Sequence, residues 1–340
     1  RDLVRSRGLG DVYKRQILLS IIVFSACHSD EQEGDFSFEE IKIARYDRLQ
    51  YESSVQNNFF ALQRMRTEFA QETRLLIEDV LELGAVDAPD IYERLCGYYA
   101  DSVLVHLMDD AEQKFKDMSR WEKELTKGFR VLKKEIPELP VPKVYAQISA
   151  LNQSVVVGDS VLGISLDKYM GSEYPLYKRF YYVNQRRSMS SEYIVSDCFT
   201  FYLLGQYPFS WEEGHRALMD ILLYRGKIAW AVEAILDGDV SGEIALGYTE
   251  EEVEWCEEHE KQLWKEIREN HYAETTDPMV IRSYVSSNVK PLFEDDKVPP
   301  SLGIWLGMKA VDRFMKEHPE ISLKNLLEHV DDTLIKNELN

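Results

Sequence analysis

The chain has 340 residues, with 40 Lys and Arg against 60 Asp and Glu, a formal charge of −20 and a pI near 4.9. That balance excludes a general nucleic-acid binder, which needs cations to neutralise phosphates, and the 44% apolar content excludes wholesale disorder. Eleven prolines and 17 glycines are too few for a low-complexity chain, and four cysteines do not make a disulfide scaffold.

The chain opens on Arg1, and Asp11-Val12-Tyr13-Lys14-Arg15-Gln16 reads as the translation of a sequencing-library adaptor. Residues 1–16 are therefore expected to be an artefact and are set apart from fold reasoning. Residues 17–26 are apolar and end in small side chains before Cys27. The run is short of the roughly 20 residues that span a bilayer and has the length of a signal-peptide core. Phe24-Ser25-Ala26-Cys27 resembles a bacterial lipobox, with Phe24 where Leu is usual. On that reading the Cys27 thiol carries lipid, residues 27–38 are an acidic tether, and the bilayer is reached through the acyl chains. Residues 39–337 are then expected to form one domain.

Within that domain Ile41–Tyr46 alternates as a short strand. Ser54–Leu83 carries apolar residues near a 3.6 period and predicts a helix. Asp90 is placed to cap a second helix through Tyr92, Leu95, Tyr99, Val103 and Leu107. Ser119–Lys134 predicts a third, ended by Pro137, Pro140 and Pro142. Val144–Ile148 reads as a strand. Val155–Val157 and Val161–Leu166 read as a hairpin about Gly158-Asp159. Helices are predicted for 191–204, 210–236, 249–270, 302–317 and 323–335, with Thr249 and Glu252 spaced as a capping box. The fold class expected is mainly α with a small sheet, an α+β domain.

The chemistry-bearing motifs are few. A zinc peptidase of the commonest kind needs His-Glu-x-x-His, because i and i+4 share a helix face. No two of the seven histidines stand four apart, and His259-Glu260-Lys261-Gln262-Leu263 fails at its fifth position. Phosphate-binding glycine loops and a Gly-x-Ser-x-Gly elbow are also absent. Neither a cofactor nor a metal is called for, and no catalytic residue is assigned. Glu212, Glu213 and His215 sit at a predicted helix start, where acids favour the helix dipole. Gly226, between Arg225 and Lys227, would permit close helix packing, and Lys227 would reach a buried acid such as Asp197 or Asp220. Asp167 and Tyr169 follow the hairpin as a turn acid and an anchoring aromatic. Cys96 and Cys198 read as buried thiols. With Cys256 they leave an odd number after Cys27.

Several segments in fixed order then carry a resemblance. They are Ile43–Asp47, Asn152-Gln153-Ser154, Leu162–Gly171, Tyr174–Tyr177, Tyr193–Asp197, Leu222–Lys227, Leu246–Thr249 with Glu254-Trp255-Cys256, Thr276-Asp277-Pro278 and Gly303–Gly307. Together with the lipobox they resemble the GldB-type gliding motility lipoproteins of Bacteroidota over about residues 40–335. The resemblance implies a cell-envelope lipoprotein, on the periplasmic face or outer membrane, that partners gliding or secretion proteins. It also implies a distant likeness to His-Glu-x-x-His zinc peptidases, a degenerate metallopeptidase-like helical domain. Arg225 stands where that scaffold would carry a metal-binding glutamate, and a cation there repels zinc. The expected role is a non-enzymatic scaffold or partner-binding component. The alternatives are a hydrolase with its site near Asp167, Asp197 and Lys227, or a binding lipoprotein whose pocket is lined by Tyr181, Tyr182 and Tyr193.

Overall fold

The computed structural model describes residues 38–210, 216–236, 246–286 and 298–338. Cys27 and the residues before it, the tether, and Glu212, Glu213 and His215 lie outside the described residues. Residues Glu39–Asn340 form one compact unit.

Its sheet has four strands: β1 (Ile43–Arg45), β2 (Lys143–Gln147), β3 (Val155–Val157) and β4 (Val161–Ser165), in the order β1-β2-β4-β3. β1, β2 and β4 are parallel, with Ile43 opposite Val144 and Tyr145 opposite Gly163. β3 returns antiparallel on β4, with Val156 opposite Gly163, which is the hairpin read from the sequence. Every residue of β4 is buried, as expected of a parallel strand covered on both faces.

The long connection from β1 to β2 is helical. α1 (Tyr46–Ser54) follows β1 directly and is followed by α2 (Phe59–Thr67) and α3 (Ala70–Arg74). The single helix expected over 54–83 is therefore interrupted. Asn57 takes a left-handed φ of 52°, and Asn58 caps α2 by accepting from the Phe60 and Ala61 amides. Phe69 breaks the next junction with φ −123° and ψ 41°, and the run ends in a π-helical turn at Leu75–Val80. The helix expected after Asp90 is also two: α4 (Ile91–Tyr99) and α5 (Ser102–Lys114). Asp101 caps α5 through the Val103 amide, whereas the Asp90 carboxylate binds Arg94 and makes no cap bond. α6 (Ser119–Glu135) completes this half as expected.

After the sheet come two short helices, α7 (Pro175–Phe180) and α8 (Val183–Arg187), which the sequence pattern did not suggest. α9 (Ile194–Gln206) packs over β3 and β4. The C-terminal half is built on α10 (Leu218–Ile235) against α13 (Leu302–Glu317), flanked by α11 (Glu250–Glu269), α12 (Pro278–Val285), α14 (Leu323–Glu328) and α15 (Asp332–Glu338). Leu222, Leu223, Trp305 and Phe314 form the centre of that core. The closest approach is between backbones. A Cβ on Gly226 would stand 2.2 Å from the Gly307 carbonyl carbon, and one on Gly307 would stand 1.9 Å from the Leu222 oxygen. Gly226 thus serves the close packing expected of it. Thr249 and Glu252 make the reciprocal capping bonds at the start of α11.

Candidate functional site

The polar residues singled out by the sequence fall into two separate groups. The first lies at the carboxyl ends of β2 and β4, the place where open α/β sheets hold their ligands. A single 3₁₀ turn, Leu166–Lys168, follows β4 and buries Asp167 completely. One Asp167 oxygen accepts the Ser149 amide at 2.9 Å and the other the Leu151 amide at 2.6 Å, with the Ser149 hydroxyl 3.2 Å from the second. Burial pushes the Asp167 pKa up, and these donors pull it back.

The loop that Asp167 clamps is strained. Ala150 and Leu151 both take left-handed φ values, 52° and 68°. Non-glycine residues held there cost on the order of 1–3 kcal/mol each and persist only where the surroundings over-determine them. Here they do. Gln50 accepts the Ile148 amide, and Tyr99 donates to the Ile148 carbonyl. Asn152 donates to the Val80 carbonyl. Lys168 and Tyr181 both donate to the Leu151 carbonyl. Asp167 is thus a loop-setting acid.

Tyr169, fully buried, donates its hydroxyl to Asp197 at 2.7 Å. Asp197 sits in the first turn of α9. Desolvation pushes its pKa up to about 7, opposed by the Tyr169 bond and the positive charge of Lys168. The turn acid, its tyrosine and Asp197 therefore belong to one neighbourhood, which joins the sheet edge to α9.

The second group is on α10. Lys227 donates to the Asp332 carboxylate at 2.6 Å and to the Val330 carbonyl at 2.8 Å. The expected partners are replaced. Asp197 is held by Tyr169, and Asp220 pairs with Lys336 at 2.6 Å while accepting the Ala217 amide. The acid that Lys227 meets comes from the C-terminal helix, over a hundred residues away, which no local pattern reveals. Arg225 is half-buried beside Tyr224, and desolvation lowers its pKa. Asp167, Asp197 and Lys227 do not converge on one cleft.

The tyrosines expected to line one pocket are divided as well. Tyr181 lines a cleft of about 460 Å³ with Leu104, Leu151, Leu176, Arg179 and Phe180. Tyr193 lines another of about 700 Å³, whose walls carry Arg120, Lys127, Arg187, Glu124 and Glu192. Tyr182 lines neither and is 78% exposed. Among the described residues no three His, Cys, Asp or Glu side chains gather as a metal site. Cys198 and Cys256 are buried, and Cys96 is half-buried. Sequence reasoning missed the Ser149–Leu151 turn, for which Gly or Asn would have been the usual signal. It also missed the outward-facing side chains of α7 and α8, which the run of cations and aromatics at 178–187 does mark.

No curated protein and no solved structure matches the chain. The family model for gliding motility protein GldB does match, over residues 29–338, a span that takes in both the clamped loop and the α10–α13 pair. With the whole described fold inside that match, the chain belongs to the GldB gliding motility lipoprotein family.

Proposed function

We propose that this chain is a non-enzymatic lipoprotein of the gliding or associated secretion machinery, anchored through acylated Cys27 and acting by docking to other envelope proteins. The observation that carries the reading is how the buried polar groups are used. Asp167 holds a loop, Asp197 holds Tyr169, and Lys227 and Asp220 hold the C-terminal helix. A catalytic acid, base or nucleophile must face a substrate, and these groups are engaged inside the fold. The resources that could be offered to a partner are on the surface instead. The periplasmic or outer-membrane location belongs to the same proposal.

Three experiments test it. Crosslinking in cells of a gliding host that carry the lipoprotein should give a reproducible covalent product with a gliding or secretion component. Its absence across several crosslinker lengths would sink the docking role. Replacing Cys27→Ala should abolish incorporation of labelled fatty acid and release the chain from the membrane fraction. Retention of label would place the lipid elsewhere. Elemental analysis of the purified protein should find no stoichiometric zinc, and one zinc per chain would return the peptidase reading.

A further inference from the structure

We infer that the junction between α7 and α8 is a second membrane-contact surface, which lays aromatic side chains into the headgroup region of an anionic phospholipid bilayer. Residues 178–187, Lys-Arg-Phe-Tyr-Tyr-Val-Asn-Gln-Arg-Arg, hold four cations and no acid in a chain whose net charge is −20. The same stretch carries Phe180 at 64%, Tyr182 at 78% and Val183 at 62% exposure, a concentration of large exposed apolar side chains.

The backbone turns Tyr182 outward. Tyr181 is extended, with φ −127° and ψ 141°, and so is Tyr182, with φ −68° and ψ 160°. In extended backbone, neighbours point to opposite sides. Tyr181 points inward: its hydroxyl donates to the Leu151 carbonyl, and Lys168 lies over its ring at 4.6 Å. Tyr182 is therefore turned away from the anchored Tyr181, while Phe180, the last residue of α7, stays exposed at the rim of the Tyr181 cleft. The anchor is the same Leu151 loop that Asp167 clamps, so the surface is presented rigidly.

The charges around it suit lipid phosphates. Arg179 has no carboxylate partner among the described residues, and its guanidinium lies against the Phe180 ring at 5.7 Å. Glu173 is shared between Lys178 at 2.7 Å and Arg186 at 3.4 Å. Arg187 pairs with Glu252. The cations of the stretch thus outnumber the carboxylates that meet them. Asp101 lines the same cleft as Arg179 and Phe180 and offsets part of that excess; at physiological salt the Debye length is about 8 Å, so a contact responds to this local balance more than to acids further off. Aromatic rings with flanking Lys and Arg are the side chains that settle at a bilayer interface. A lipid chain with a basic patch makes a firmer anchor than either alone. The inference rests on the lipoprotein reading only in that Cys27 would bring this face to a membrane.

The test uses the mature chain from residue 27 with Cys27→Ser, so that no acyl chain contributes. It is floated with vesicles of phosphatidylcholine alone and of phosphatidylcholine with a quarter phosphatidylglycerol. The expected result is binding to the anionic vesicles, lost in about 0.5 M salt as screening shortens. Phe180→Ser with Tyr182→Ser should weaken it roughly tenfold or more, as should Arg179→Glu. Phe59→Ser with Phe60→Ser, at another exposed aromatic pair, should leave it unchanged. All these side chains are exposed, so unaltered circular dichroism confirms folding in each variant. Failure to bind anionic vesicles, equal binding by all variants, or equal loss at Phe59 and Phe60 overturns the inference. If vesicles are ignored while a photocrosslinker at Tyr182 captures an envelope protein, the surface docks protein instead, and the scaffold role stands without this one.

Discussion

The carboxyl of Asp197, half-buried, meets a tyrosine hydroxyl, and desolvation pushes its pKa up to about 7 against that bond and the positive charge of Lys168. Its pKa is raised above the ordinary value of 3.8. Between those two values the unfolded chain is ionised at this position and the folded chain is not, so stability falls as pH rises. The loss is about 1.4 kcal/mol for each unit. Below the window both states are protonated, and above it the loss is complete. Asp197→Asn removes this term while keeping an acceptor for Tyr169. Urea unfolding between pH 4 and 7 should show the wild-type chain losing stability relative to the variant, and parallel curves would mean that Asp197 is ionised in the fold. Asp167 has the opposite logic of use, since its two oxygens serve three donors. Asp167→Asn would set an amide group against backbone N–H groups. A loss of about 2–3 kcal/mol in urea is expected from the donor left unsatisfied. The sequence read Asp167 as a turn acid, and the residue lies in the 3₁₀ turn Leu166–Lys168. The sequence could not identify the Ser149–Leu151 turn, because Ala150 and Leu151 are poor left-handed residues whose conformation comes from partners up to about a hundred positions away.

Between elements, the close α10–α13 approach depends on glycine at 226 and 307. Gly226→Ala would put a methyl 2.2 Å from the Gly307 carbonyl carbon, against backbone that cannot rotate aside. Overpacking of this kind costs about 1–3 kcal/mol where side chains can yield, and here the expected outcome is at the upper end or beyond. A lowered denaturation midpoint or insoluble protein would show it, and unchanged stability would mean that the helices stand further apart. At the junction of α4 and α5 the lever is smaller. Asp101→Ala removes the cap on Val103 and should cost about 1 kcal/mol, whereas Asp90→Ala should cost less. The periodicity of Tyr92, Leu95, Tyr99, Val103 and Leu107 suggested one helix because a short break leaves the apolar stripe nearly in phase. Where apolar period and cap signal agreed, as at Thr249 and through α6, the elements formed as read. The short α7 and α8 escaped because six and five residues are too few to establish a period.

Across the whole molecule, the C-terminal helix is tied back to α10 by two ion pairs, Asp332 to Lys227 and Lys336 to Asp220. Lys227 is nearly buried and Asp332 partly exposed, so Lys227→Met should cost about 2 kcal/mol, less than for a fully buried pair. Denaturation of the variant would measure this, and a stabilised protein would show that the pair is dispensable. By itself the sequence determined the fold class, the hairpin, most long helices, Gly226 as a close-packing position and the family. These follow from apolar period, turn chemistry and order of segments, which are local or read along the chain. Only the tertiary structure decided the strand order β1-β2-β4-β3, the partner of Lys227, the strained loop under Asp167 and the outward face of Phe180 and Tyr182. Which charge meets which, and which ring is left outside, is fixed by packing between residues far apart in sequence, where spacing along the chain carries no information.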